Sequence, residues 1–182
     1  MSEMAKNRSR ITLGGGCFWC TEAVFERVKG VHRVEPGYCN GDVLQPTYEQ
    51  ICTGNTGHAE VVRVDFDASE ISLSELLQVF FVIHDPTSLN RQGADIGTQY
   101  RSGIYTHDGE QEQEARAMLA EAQTAHRGRV VTELCPERNY WPAESYHQRY
   151  YARNPEQGYC AFVVAAKVDK FLATFARLVR PA

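Results

Sequence analysis

The chain reads as one α+β domain with a mixed or antiparallel sheet and helices on one of its faces. Three observations predict this class. Segments with strand and helix patterning follow the order strand-helix-strand-strand-helix-strand. The helical segments carry one-sided apolar stripes, which need a sheet or another helix to cover them. No repeat, low-complexity tract or linker interrupts the 182 residues, and that length buries a proper core within a single domain.

Taken in order, residues 9–13, with Ile11 and Leu13, read as the first strand. Gly14, Gly15 and Gly16 then let the backbone turn sharply and approach a ligand, because no Cβ stands in the way. Residues 18–28 read as a helix with Cys20, Val24 and Val28 on one face, ended by Gly30. Residues 31–38 read as a strand. Val62-Arg63-Val64-Asp65-Phe66 alternates as a half-buried strand does. Ser72 and Glu75 form a capping box that opens the helix Leu73–Ile83, with Leu73, Leu76, Leu77, Phe80 and Phe81 as its apolar stripe. Ser102–Thr106 is a further strand. Asp108 with Gln111 caps a helix bearing Ala115, Met118, Leu119 and Ala122 on one side. Val130–Leu134 reads as a short strand. Pro142 stands at the first position of a helix over Ala143–Ala152. Val164, Val168, Phe171, Leu172 and Phe175 mark a final amphipathic helix. The core is expected over about residues 9–152, followed by a C-terminal segment and helix over 153–180. Two long polar loops, Asn40 to Gly57 and Asp85 to Arg101, stand out, and such loops inside a compact domain are usually functional.

Composition excludes several classes. An apolar content of 43%, a charged content of 23% and a net charge of −4 are those of an ordinary soluble domain. Lys and Arg are scattered, which argues against nucleic-acid binding. No apolar run approaches the roughly 20 residues that span a bilayer. Met1 to Arg10 is polar and lacks the apolar core of a secretory signal, so a cytoplasmic protein is expected. A monomer is the expected state. Six cysteines (17, 20, 39, 52, 135 and 160) are many for such a compartment. There they stay reduced, which leaves buried thiols, a metal site or redox chemistry.

The segment Gly14-Gly15-Gly16-Cys17-Phe18-Trp19-Cys20 is the strongest local signal. A cysteine just before a helix meets free N–H groups and the positive end of the helix dipole, which favour the nucleophilic thiolate. Phe18 and Trp19 set aromatic faces beside it, and Cys20 is a possible disulfide partner. Glu60, in Gly57-His58-Ala59-Glu60, begins a buried strand. Desolvation there raises a carboxyl pKa and keeps it ready to donate a proton, although a strand-end Glu can equally pair with a base. Tyr48 and Tyr100 lie in the two polar loops and can donate hydrogen bonds, or simply pack. Asp95 can serve the same region or hold its own turn. His147 reads as a helix-face histidine unless the site lies beside it. Cys160, in a turn-prone stretch, is a mobile thiol or a small packed apolar residue. A structural zinc site is disfavoured, because Cys17-x-x-Cys20 lacks a second ligand pair. A thioredoxin-like use of this Cys-x-x-Cys meets a bulky Phe-Trp between the thiols.

Together these segments resemble the peptide methionine sulfoxide reductase A family. The motifs are Gly15-Gly16-Cys17-Phe18-Trp19, Pro46-Thr47-Tyr48-Glu49, Thr56-Gly57-His58-Ala59-Glu60, His84-Asp85-Pro86-Thr87-Ser88-Leu89-Asn90-Arg91-Gln92-Gly93, Asp95-x-Gly97-Thr98-Gln99-Tyr100-Arg101-Ser102, Tyr146-His147-Gln148 and Gly158-Tyr159-Cys160. They run in order from Gly14 to about Phe175.

The resemblance implies a ferredoxin-like α+β core with long wrapping loops. It implies reduction of the S epimer of methionine sulfoxide, in oxidised proteins and as the free amino acid. Cys17 looks like the nucleophile and Glu60 like the acid. Tyr48 and Tyr100 look like donors to the sulfoxide oxygen, with Asp95 supporting them. Phe18 and Trp19 look like the cage of the substrate methyl, with His147 beside it. A sulfenic acid on Cys17 would condense with a second thiol, and thioredoxin or another dithiol would reduce the disulfide. No metal or organic cofactor is implied. Cys20 departs from the glycine of many members, and the chain continues as a helix after Cys160. Cys160 is the first choice of resolving thiol and Cys20 the second. Cys39 and Cys52 are lesser candidates and Cys135 a bystander. The alternative is a general thiol-disulfide oxidoreductase using Cys17 and Cys20.

Overall fold

In the computed structural model, which describes residues 7–181, a six-stranded sheet carries helices on one face. The polar start Met1 to Lys6, read for the absence of a signal core, lies outside the described residues. The chain runs β1 (Arg8–Gly14), α1 (Phe18–Phe25), β2 (Val31–Cys39), α2 (Tyr48–Cys52), β3 (Ala59–Asp67) and α3 (Leu73–Ile83). A small hairpin follows, β4 (Arg91–Gln92) and β5 (Asp95–Ile96), then β6 (Gly103–Thr106), α4 (Gly109–Ala125), β7 (Glu133–Pro136), β8 (Trp141–Pro142) and α5 (Tyr150–Arg153). A π-helical turn, Cys160–Val164, leads into α6 (Ala165–Thr174).

The sheet order is β7-β6-β1-β3-β2-β8. Four strands, β6, β1, β3 and β2, are mutually antiparallel, and β7 joins parallel to β6, so the sheet is mixed. Alternation along the strands separates the two faces. Ile11, Leu13, Val62, Val64, Phe66 and Ile104 join the core with Phe25, Leu76, Phe80 and Phe171 from the helices. Burying each such side chain contributes about 1.5–3 kcal/mol. The opposite face carries polar pairs. Arg63 reaches Glu137 through two bonds of 2.8 Å and lies 3.6 Å from the centre of the Tyr140 ring.

Several boundaries differ from the sequence reading. Pro142 does not open a helix over Ala143–Ala152. It pairs with Gly37 at the sheet edge, where a residue without an N–H is tolerated, and the only α-helix in that segment is α5. The strand expected at Val130–Leu134 sits at Glu133–Pro136. The N–H and C=O of Val130 are taken by the Gln123 side chain, and Val131 donates to the Pro86 carbonyl. The first helix stops at Phe25 rather than Val28, as Arg27 and Val28 bond to carbonyls three residues back. The loop Asn40 to Gly57 holds the unexpected α2, opened by a Thr47–Gln50 capping box.

Candidate active site

Cys17 is the N-cap residue of α1 and is half-buried. The turn that delivers it depends on Gly16, at φ +93°, where a Cβ would stand 2.7 Å from Gln92 Cγ. Gln92 cannot yield readily, because its amide bonds both the N–H and the C=O of Asp85 at 2.9 and 2.6 Å.

Glu60, in β3, shares its face with Val62 and Val64 and is only 2% exposed. Its Oε1 accepts the backbone N–H of Phe18 at 3.3 Å, one residue from Cys17. Burial, opposed by that hydrogen bond and reinforced by Asp95, pushes the Glu60 carboxyl up to about 8. At neutral pH it is mainly a buried proton donor.

The helix N-terminus does not decide the state of Cys17, contrary to the expectation from sequence. Its hydrogen bond with Cys20, burial and the nearby Glu60 carboxylate hold the Cys17 thiol well above the ordinary range. Cys20 is driven the other way, to about 7, first by the same bond from Cys17 and then by Lys167 and Tyr159. Of the two thiols, Cys20 is therefore the more acidic.

Around this pair the chain assembles two further groups. One is aromatic. His147, 1% exposed, lies 5.0 Å from the Phe18 ring and 4.5 Å from the Tyr48 ring, centre to centre. Its Nδ1 accepts from Trp19 Nε1 at 3.0 Å, so a neutral ring carries its proton on Nε2, which makes no hydrogen bond among the described residues and lies 3.7 Å from Glu144 Oε2. Tyr150 stacks on Trp19 at 3.7 Å with the planes 6° apart. The other group is polar. Tyr159 donates to Asp95 at 2.6 Å, and its oxygen lies 3.7 Å from Cys20 Sγ. Burial and the nearby Glu60 carboxylate raise the Tyr48 and Tyr100 phenols, and the Cys52 thiol adds to the rise at Tyr48. Both phenols therefore stay protonated as donors.

The structure thus gathers Cys17, Phe18, Trp19, Cys20, Tyr48, Glu60, Asp95, Tyr100 and His147 in one place. Cys160 is fully buried in the core, one residue beyond Tyr159. Cys39, expected near the site loops, instead packs with Ala59, Val61, Tyr105 and Cys135 on the other face of the sheet. Sequence reasoning missed Tyr38, Glu144, Tyr150 and Tyr159. Tyr38 lies beside Glu60 in the β2–β3 register and donates to Glu144 at 3.2 Å. Only Tyr159, inside the Gly-Tyr-Cys motif, carried a local signal. Among the described residues, the one trio of His, Cys, Asp or Glu ligand atoms that lie close enough together to share an ion is His32, Asp67 and Glu70.

A buried carboxyl bonded to the backbone next to Cys17, a second thiol at Cys20 and aromatic rings around them, on an α+β scaffold, make up the site of a thiol-dependent reductase. A profile of the peptide methionine sulfoxide reductase family matches residues 9–178, and the chain belongs to that family. It is 54% identical over 164 residues to the peptide methionine sulfoxide reductase MsrA of Saccharolobus solfataricus, covering 90% of this chain and 93% of that one. It is 52% identical to MsrA of Acinetobacter baumannii over 167 residues, covering 92% and 95% of the two chains. Among solved structures, reduced Mxr1 of Saccharomyces cerevisiae superposes with a TM-score of 0.78 at 36% identity, covering 85% of this chain and 90% of that one. Mxr1 in complex with Trx2 gives 0.56 at 26% identity, covering 82% and 89%.

Proposed function

We propose that this protein reduces the S epimer of methionine sulfoxide, protein-bound and free, and is recycled by thioredoxin or another dithiol. The observation that carries the reading is Glu60, a carboxyl held protonated by burial and fixed 3.3 Å from the Phe18 N–H. A sulfoxide is a poor electrophile until its oxygen is protonated or strongly hydrogen-bonded. Glu60 supplies the proton, and Tyr48 and Tyr100 supply donors where charge develops on that oxygen. Phe18, Trp19 and His147 seat the methyl group, and Asp95 holds Tyr159 against the thiol pair.

Cys17 must lose its proton to attack. A neutral Glu60 removes the like charge that disfavours the Cys17 thiolate. Cys20, ionised near neutral pH, takes the proton as a general base; this transfer is uphill, and the helix N-terminus lessens its cost by stabilising the thiolate formed at Cys17. Attack on sulfur breaks the S–O bond, and the oxygen ends on Cys17 as a sulfenic acid while methionine leaves. Two electrons pass from the cysteine to the substrate. A second thiol condenses with the sulfenic acid, releasing water and forming a disulfide, which a dithiol reduces by exchange. The family resemblance points to Cys160 as that thiol. Cys20, three residues from Cys17 at the start of α1, is the second candidate, and it and Cys160 are equally buried. The chemistry uses side chains and an external dithiol, without metal or organic cofactor. A cytoplasmic monomer suits a reductant-fed repair enzyme, and among the described residues no helix is long and apolar enough to cross a membrane.

A general thiol-disulfide oxidoreductase needs its leading cysteine acidic. Here the leading Cys17 is raised and Cys20 lowered. Disulfide exchange that survives Glu60→Gln, with no reduction of either sulfoxide epimer, would favour that alternative.

A further inference from the structure

Helix α1 carries a second buried acid that the proposed chemistry does not use. Glu22 lies one turn beyond Phe18 and Trp19 and is 1% exposed, between Thr21 and Ala23, which are also buried. An unpaired carboxylate is expensive to bury, so its partners define its role. Glu22 Oε2 accepts the backbone N–H of Arg149 at 3.0 Å; burial pushes its carboxyl up to about 7, opposed by the N–H groups of Arg149 and Tyr150. Arg149 has a left-handed backbone, φ +54°, a strained conformation that the surroundings must hold. The bond fixes this kink, and the kink sits between His147 and Tyr150. Both touch Trp19, one through the Nε1 hydrogen bond and one by stacking, while Tyr159 meets the ring edge-on. Helix α1 and the segment 145–153 therefore meet at two levels: Trp19 against His147 and Tyr150, and, one turn deeper, Glu22 against the kink.

We propose that Glu22 is a positioning residue: its buried carboxyl oxygen pins the Arg149 kink so that His147 and Tyr150 clamp the Trp19 ring in the pocket that seats the substrate methyl. The inference rests on the reading of Phe18, Trp19 and His147 as that pocket. Glu22 itself touches neither the substrate nor the reacting sulfur. Its loss loosens substrate seating without removing the acid, the nucleophile or the oxygen donors.

The test is steady-state and single-turnover kinetics of Glu22→Ala and Glu22→Gln, with dithiothreitol as reductant. N-acetyl-methionine sulfoxide and its ethyl homologue, N-acetyl-ethionine sulfoxide, are compared as substrates. Glu22→Ala is expected to raise KM for the methyl substrate about tenfold and to cut the methyl-over-ethyl preference about as much. Its single-turnover rate at saturation stays within about threefold of the parent. Glu22→Gln, whose amide oxygen still accepts from Arg149, is expected to restore KM. Unchanged KM and preference in Glu22→Ala, or a loss confined to the saturated rate, overturns the proposal. Should the alanine variant fold poorly, Glu22→Asp keeps the carboxyl and shortens the reach. It must raise KM while Glu22→Gln does not, and the opposite ranking overturns the proposal. Trp19→Phe reports separately on the pocket. A raised KM there, with none in Glu22→Ala, overturns the positioning role alone. No change in either variant overturns the pocket reading beneath it.

Discussion

Glu60→Gln separates the acid role from mere packing, because the same burial that prepares the acid also costs stability. The carboxyl sits near 4.5 in the unfolded chain and near 8 when folded, so the folded state binds the extra proton between those values. Stability therefore falls as pH rises through that window. The cost is about 1 kcal/mol at pH 5, about 3 kcal/mol at pH 7 and about 5 kcal/mol above pH 9. Glutamine is isosteric, keeps an oxygen for the Phe18 N–H and does not titrate. The stability of Glu60→Gln relative to the parent should thus grow by about 2 kcal/mol from pH 5 to 7 and by less from 7 to 9. The assay is equilibrium urea unfolding of both proteins under reducing conditions across that range. Taking the difference cancels every group whose surroundings are unchanged. Repeating it with Cys20→Ser in both chains removes the thiolate that also raises Glu60. A difference that stays flat from pH 5 to 9 would refute a protonated buried Glu60, and the acid role with it.

Three further outcomes are expected. Cys17→Ser should abolish turnover while the circular dichroism spectrum and melting temperature stay near those of the parent. Multiple turnovers by that variant would remove Cys17 from the chemistry. The single-turnover rate of the parent should rise as Cys20 ionises near pH 7 and fall as Glu60 loses its proton near pH 8. Cys20→Ser should move the rising limb to higher pH, and Glu60→Gln should erase the falling limb while slowing the step. Gly16→Ala should destabilise by about 2–3 kcal/mol, since its positive φ and the clash with Gln92 both resist a side chain. Urea melts that show no loss would mean the Cys17 turn is slacker than its geometry indicates.

The fold was legible where one element repeats a single period. The alternation of Val62 to Phe66 and the stripe of α3 are local; the stripe gave Leu73–Ile83 to the residue, and the alternation gave the middle of β3, which runs Ala59–Asp67. Pro142 misled because a helix start and a sheet edge both accept a residue without an N–H. The choice was made by β2, more than a hundred residues away. Helix α2 was missed although Thr47 and Gln50 spell a capping box, since five residues are too few for an apolar period. The site residues were legible as motifs. Their couplings were not, because Glu60 meets Phe18, Tyr159 meets Asp95 and Glu22 meets Arg149 only through long-range packing. The reversal of Cys17 and Cys20 has the same origin. The sequence shows the helix N-terminus that favours a thiolate but not the burial that opposes it.

The most direct measurement is single-turnover reduction of each epimer of N-acetyl-methionine sulfoxide, separately and without added reductant, with the resulting disulfide mapped by mass spectrometry. The account predicts one methionine per protein from the S epimer alone and a disulfide that includes Cys17. A bridge to Cys20 or to Cys160 would identify the resolving thiol and leave the reaction intact. No methionine from either epimer, or product with Cys17 left as a free thiol, would contradict it.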